Sequence, residues 1–142
     1  VCPRLTRFTL HEQQSLFTLF CIARSPLFLT CNLLRNTPEL LTVQTQPDCI
    51  ALDQRGVHNR VLLSGRDAAA HLWRGYADGR DYLACFRLDR GEDAVEFPVP
   101  EDLRGLHAVD VWTGEPFASL GEVLRVPMTA HSVRLLRFPP RG

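Results

Sequence analysis

Val123-Leu124-Arg125-Val126-Pro127-Met128 is the stretch whose reading decides the fold. Leu124, Val126 and Met128 fall on one side of an extended chain, with Arg125 between them on the other. That is the period-two pattern of a strand with one buried face. The same pattern recurs upstream. Val95, Phe97 and Val99 share a side, with Glu96 between them, and His107, Val109 and Val111 alternate with Ala108, Asp110 and Trp112. The turns are explicit: Asp78-Gly79, Arg90-Gly91, Thr113-Gly114 and Leu120-Gly121. Strands are predicted near 60–64, 69–76, 81–88, 94–99, 107–112, 123–128 and 132–138, about seven or eight in all, an antiparallel all-β sandwich of the Greek-key type. Glu101-Asp102-Leu103 predicts one helical turn between two strands. No internal repeat or low-complexity run interrupts the pattern.

Residues 1–54 have another texture. Thr9 caps a helix, with Glu12 three residues later to complete a capping box. Leu16, Phe17, Leu19, Phe20 and Ala23 follow at helical spacing, and Pro26 ends the run. Leu27-Phe28-Leu29 reads as a short buried parallel strand. Thr37-Pro38 opens a second helix, with Leu40, Leu41 and Val43 as its apolar face, and Pro47-Asp48 opens a further helical turn through Ile50, Ala51 and Leu52. Helix, buried strand, helix is the rhythm of an α/β layer or barrel, and one strand makes no sheet. The fold class expected is therefore mixed: a terminal helix–strand–helix piece of an α/β barrel over 1–54, then an antiparallel sandwich over 55–142.

Composition narrows the chemistry. Hydrophobic residues make up 45% and charged residues 23% of the chain, as in ordinary globular proteins. The formal net charge is zero and no Arg block stands out, which argues against nucleic acid or an anionic membrane as partner. All 16 basic side chains are Arg, as a GC-rich gene would give. Without lysine there is no Schiff base, P-loop lysine or lysine base. The five cysteines (Cys2, Cys21, Cys31, Cys49, Cys85) are odd in number and form no C-x-x-C pair. They read as buried apolar filler in a reducing compartment, not as disulfides or a zinc site. No apolar run reaches the roughly 18 to 20 residues that span a bilayer. The chain opens on Val1 with no signal-like segment, so its start reads as a cut, and location, cytoplasmic or secreted, stays undecided.

Particular motifs go further. Glu12-Gln13-Gln14, Ser25-Pro26-Leu27-Phe28-Leu29, Asn32-Leu33-Leu34-Arg35, Thr37-Pro38-Glu39-Leu40-Leu41 and Gln46-Pro47-Asp48-Cys49-Ile50-Ala51-Leu52-Asp53-Gln54 follow in that order. This succession resembles the last turns of the barrel in the α-galactosidases, the melibiases of glycoside hydrolase family 27. Asp110-Val111-Trp112-Thr113-Gly114 is similar to the "D-L-W-T-G" strand of that family's C-terminal domain. Val126-Pro127 through His131-Ser132-Val133-Arg134-Leu135-Leu136 is similar to its closing strand. The resemblance covers nearly the whole chain. It implies that residues 8 to 45 are the seventh barrel helix, the eighth strand and the eighth helix. Asn32 stands where the family commonly has Asp, Cys31 is untypical there, and Leu52-Asp53-Gln54 replaces "I-N-Q".

The resemblance also implies where catalysis resides. Such enzymes are retaining, with two Asp on earlier barrel strands, and a retaining pair needs its carboxyl groups about 5 Å apart. Both family motifs lie upstream of Val1, so no catalytic residue is expected in this chain, and hydrolysis by it alone is not expected. Asp89, Glu92 and Asp93 read as a charged turn around Gly91, and Glu101 and Asp102 as first-turn helix residues. Cys31 and Asn32, at the C-terminal end of the buried strand, are the candidate substrate-binding residues, because such strand ends form a barrel's active-site rim. Asn32 would offer its amide to a sugar hydroxyl or else satisfy backbone groups in its loop. His11, His58, His71, His107 and His131 show no metal-ligand spacing, and a triad with Ser132 or Asp110 rests on nothing beyond coincidence.

No metal or organic cofactor is expected. The partners implied are the upstream barrel of the same enzyme and an α-linked galactoside, or a related N-acetylgalactosamine or arabinopyranose glycan. The rival reading is a non-catalytic carbohydrate-binding or interaction module. Exposed, coplanar Trp73 and Trp112 would favour the module, and buried ones a sandwich that braces the barrel. The apolar faces of 10–23 and 38–43 are expected to fold back on the sandwich, self-associate or disorder, since leaving them bare forgoes about 25 cal/mol per Å².

Overall fold

The computed structural model describes residues 6–28, 32–66 and 68–142. Three helices come first: α1 (Leu10–Ile22), α2 (Pro38–Gln44) and α3 (Pro47–Arg55), with a 3₁₀ turn at Leu33–Arg35. Eight strands follow: β1 (Val57–Leu63), β2 (Ala70–Ala77), β3 (Arg80–Arg87), β4 (Ala94–Pro98), β5 (Ala108–Asp110), β6 (Pro116–Phe117), β7 (Val123–Pro127) and β8 (Ser132–Pro140). The predicted helical turn at Glu101–Leu103 is a 3₁₀ turn.

The strands form a six-stranded antiparallel sheet in the order β1-β2-β3-β8-β5-β6 and a two-stranded ribbon, β4-β7. The ribbon covers one face of the sheet. Val95, Phe97, Leu124 and Val126 of the ribbon meet Leu83, Cys85, Leu136 and Phe138 there. Helices α1 and α3 cover the other face, where Ile22, Cys49 and Leu52 meet Tyr82, Phe86, Val133 and Leu135. Strands β3 and β8 are thus buried on both faces, and successive residues such as Leu135 and Leu136 serve different cores. A sheet covered on both sides loses the simple in-out alternation.

Local chemistry explains the element ends. Thr9 Oγ1 accepts from Glu12 N–H at 3.2 Å, and Glu12 Oε2 accepts from Thr9 N–H at 2.8 Å, the anticipated capping box. Thr37 caps α2 by accepting from Leu40 N–H at 3.2 Å. Ala77 pairs with Arg80, which leaves Asp78-Gly79 as a two-residue turn with φ of 50° and 77°. Such hairpin turns need two left-handed residues, and Asp-Gly supplies them at low cost. Arg55 holds the Asp78 carboxylate at 2.7 Å, tying α3 to that turn.

Three expectations change. Leu27 and Phe28 stand in no strand, and Leu29 lies outside the described residues. Among the described residues neither sheet includes one before Val57, so Leu27 and Phe28 have no strand neighbour there. On α1 the sheet takes the side bearing Ser15, Thr18, Cys21 and Ile22, while Leu16 and Phe20 stay exposed. The small polar residues on the docked side find partners there: Ser15 Oγ donates to the His131 carbonyl at 2.8 Å and Thr18 Oγ1 accepts from Trp112 Nε1 at 3.0 Å. In β5, Ala108 and Asp110 are buried and Val109 only half so.

Candidate functional site

Segment 23–37 connects α1 to α2 and carries the sequence-predicted site. Helix α1 ends on Ala23, and Arg24 takes a left-handed turn at φ 53°, its Nε donating to the Asp53 carbonyl at 3.0 Å. Asn32 is exposed and caps the 3₁₀ turn, its Oδ1 accepting from Leu34 N–H at 3.1 Å. One of its amide atoms is thereby committed to the backbone. Cys31 lies outside the described residues. Around this connection the apolar side chains are bare: Phe28 is 83% and Leu34 96% exposed. An open groove of about 440 Å³ runs beside Phe28, walled by that residue with Phe8, Leu16, Phe20, Leu27 and Val43. An α-helix that is apolar on two sides expects neighbours on both; α1 is packed on the sheet and α3, whereas on its other side α2 covers it only in part and leaves Leu16 and Phe20 exposed.

The carboxylates of Asp89, Asp93, Asp102 and Asp110 are occupied. Asp89 and Asp93 both bind the buried Arg87, and its guanidinium holds each of them below the usual carboxylate range. Groups held ionised in this way do not serve as a general acid near neutral pH. Asp102 is likewise held low, by Arg74 first and then Arg141. Asp110 is fully buried. It accepts from Trp112 N–H at 3.1 Å, Thr113 Oγ1 at 3.0 Å and Arg134 Nη1 at 2.9 Å. Gly114, at φ 75°, donates its N–H to the Asp110 carbonyl at 2.7 Å. The Asp-Val-Trp-Thr-Gly stretch is therefore a self-bonded turn, which explains why those residue types stand together.

Nucleophiles are quenched too. Burial pushes the Cys85 thiol up, and a hydrogen bond with Cys21, then burial, raises that of Cys49. Thiols held protonated are poor nucleophiles. Burial and the 2.6 Å bond to Asp48 raise the Tyr82 hydroxyl. Ser132 Oγ donates to the Thr129 carbonyl at 2.7 Å and meets no histidine. His71 contacts Ser64 Oγ at 3.1 Å and the Ala68 carbonyl at 3.0 Å. Among the described residues no cluster of three metal-ligating side chains occurs, and no helix is long and apolar enough to cross a membrane.

What sequence reasoning missed is the seam between helices and sheet. Tyr82 and Arg137 both hold Asp48 of α3, and Asn59 Nδ2 donates to the carbonyls of Ile22 and Leu52 at 2.9 and 3.2 Å. These partners are far apart in sequence, so no spacing announces them. Trp73 and Trp112 are half-buried against the same core.

A helical layer on one face of an antiparallel sheet, with a strand ribbon on the other, defines a mixed class: a helix-bearing segment followed by a β-sandwich. Solved glycoside hydrolases contain this arrangement. The "GH27-b-L-arabinopyranosidase from Geobacillus stearothermophilus" matches 98% of this chain with 33% of its own, at TM-score 0.84 and 26% identity. The α-galactosidase I of Mortierella vinacea matches 92% of this chain with 36% of its own, at TM-score 0.71; with 18% identity it speaks to the fold alone. By sequence, "Probable alpha-galactosidase A" of Aspergillus clavatus is 27% identical over 139 residues, 93% of this chain and 26% of that protein. The Aspergillus oryzae protein of the same name is 25% identical over 137 residues. No family model matches. In sequence and in fold, then, the chain is similar to the C-terminal part of the α-galactosidases, and it spans about a quarter of the length of the curated relatives it matches.

Proposed function

We propose that this chain is the C-terminal part of a retaining, α-galactosidase-like glycoside hydrolase. In this reading residues 1–54 are the last elements of the catalytic barrel and residues 55–142 the sandwich that braces it. The catalytic Asp pair resides upstream, and the chain alone does not hydrolyse glycosides. Asn32 and Cys31 lie on the rim of the sugar site, and the substrate is a terminal α-linked galactose or a related sugar. The observation that carries the reading is the two-sided apolar character of α1. Its docked side is bonded to the sandwich, while Leu16 and Phe20 line an open groove with the bare Phe28. Neighbouring barrel helices would cover such a face. Trp73 and Trp112 are both half-buried against the helix–sheet core and are not the pair of exposed, coplanar aromatics that a freestanding module would present, which supports a brace.

The test is hydrolysis of a chromogenic α-galactoside by this chain and by the same reading frame extended upstream through a full barrel. Cleavage by the extended protein alone is the expected result. Cleavage by this chain alone, or by neither, sinks the reading.

A further inference from the structure

A second groove, of about 320 Å³, lies where the start of α1 meets the sandwich loops. Its floor is apolar: Trp112, Met128 and Val133 contribute to it. The indole N–H of Trp112 is committed to Thr18 Oγ1, so what this residue turns to the groove is carbon. Arg134, also on the wall, is committed to Asp110 and Glu115 at 2.9 and 3.0 Å. His11, Gln14 and Glu92 also line it, together with Pro127 and the hydroxyl-bearing Thr113, Thr129 and Ser132. The side chains of His11, Gln14 and Glu92 form no hydrogen bond or ion pair among the described residues, while most other polar groups around them are paired. The groove thus combines an aromatic wall with a rim of free donors and acceptors.

That combination matches one kind of ligand. A pyranose ring has an apolar C–H face that packs on an indole and a belt of hydroxyls that both donate and accept. Glu92 accepts, Gln14 does both, and His11 offers two ring nitrogens for hydrogen bonding. The free carboxylate of Glu92 disfavours an anion. The volume sits at the small end of ligand sites, room for about one ring. We infer that this groove, formed by Trp112, His11, Gln14 and Glu92, is a non-catalytic pyranose-binding site at the helix–sandwich junction. It lies apart from Asn32 and the groove beside Phe28. The groove's chemistry asks only for a pyranose; the choice of an α-galactoside as first probe rests on the function proposed above.

The experiment is NMR titration of the whole chain with methyl α-D-galactopyranoside, following the Trp112 indole N–H resonance, assigned with Trp73→Phe. Glycerol and choline serve as controls for small polyols and organic cations. The expected result is a saturable shift with the galactoside and none with the controls. In the His11→Ala/Gln14→Ala/Glu92→Ala variant, affinity falls about tenfold or more, as expected for lost hydrogen bonds that include one to a charged group. Since these side chains bond to nothing, the variant keeps the parent's melting temperature. No saturable shift, an equal response to choline, or unchanged affinity in the variant overturns the site. Failure here is separable from failure of the catalytic reading. A silent groove beside an active extended protein removes only the groove, and binding beside an inactive extended protein removes only the catalytic reading.

Discussion

Asp102 takes two arginines at once. Arg74 grips it with Nη1 and Nη2 at 2.9 and 2.6 Å, and Arg141 Nη2 adds a third bond at 2.8 Å. Both arginines also bind the buried Asp81. The pairs join the turn after β4 to β2 and to the end of the chain. The carboxyl of Asp102 is held well below its ordinary range, so the folded protein keeps it ionised where the unfolded chain binds a proton. Stability from this group is therefore present above about pH 4 and is lost as the pH falls below that. Asp102 is half exposed, and solvent screening limits its worth to about 1 kcal/mol or less. Asp102→Asn should thus lower stability modestly at pH 7, and the gap to the parent should narrow as the pH drops through the acid range. Urea unfolding at pH 7, 4 and 3 measures this. A gap that does not change with pH would mean that Asp102 acts by shape alone.

At the scale of elements, the seat of the helical layer is fitted to glycines, Gly56 and Gly75, both against Leu52 and Asn59. Gly75 lies in β2 under α3, and a Cβ there would stand 2.7 Å from Leu52 Cδ2 and 2.9 Å from Asn59 Oδ1. Leu52 is fully buried, and Asn59 bonds the carbonyls of Ile22 and Leu52, so neither yields freely. Gly75→Ala should cost about 1–3 kcal/mol, as overpacking does, and the strain should concentrate on the seam. Hydrogen exchange should quicken in α3 and the end of α1 more than in β4 and β7. Uniform quickening would place the strain in the sheet instead. The same seam marks where sequence reading stops. Thr9, Glu12, Thr37 and Asp78-Gly79 announced themselves because caps and turns are local in the chain. The alternation of β4 and β7 was legible because each has one buried face. The docked side of α1 was not, since its choice depends on His131 and Trp112, more than 90 residues away. Hydrophobicity alone pointed to Leu16 and Phe20, which the sheet does not take. The candidate rim was legible only through its likeness to a family. The exposed placement of Asn32 and its bond to Leu34 N–H add the local geometry, and nothing in residue spacing pointed to the groove beside Trp112.

At the scale of the whole molecule, the open apolar face sets behaviour in solution. Phe8, Leu16, Phe20, Phe28, Leu34 and Leu41 are all exposed on the helical side. Soluble monomers seldom carry contiguous apolar patches beyond a few hundred Å². At about 25 cal/mol per Å², covering such a patch is worth several kcal/mol, enough to drive weak self-association. The chain alone should therefore gain mean mass with concentration in light scattering and bind a hydrophobic dye. Phe20→Arg/Phe28→Asp should restore a concentration-independent monomer and abolish the dye signal, at little cost in stability because Phe28 is 83% exposed and Phe20 is 42% exposed. The upstream-extended protein should behave like that variant, because its own helices would cover the face. A monomeric chain that binds no dye would show that this face is satisfied without neighbours, and the brace reading would lose the observation on which it rests.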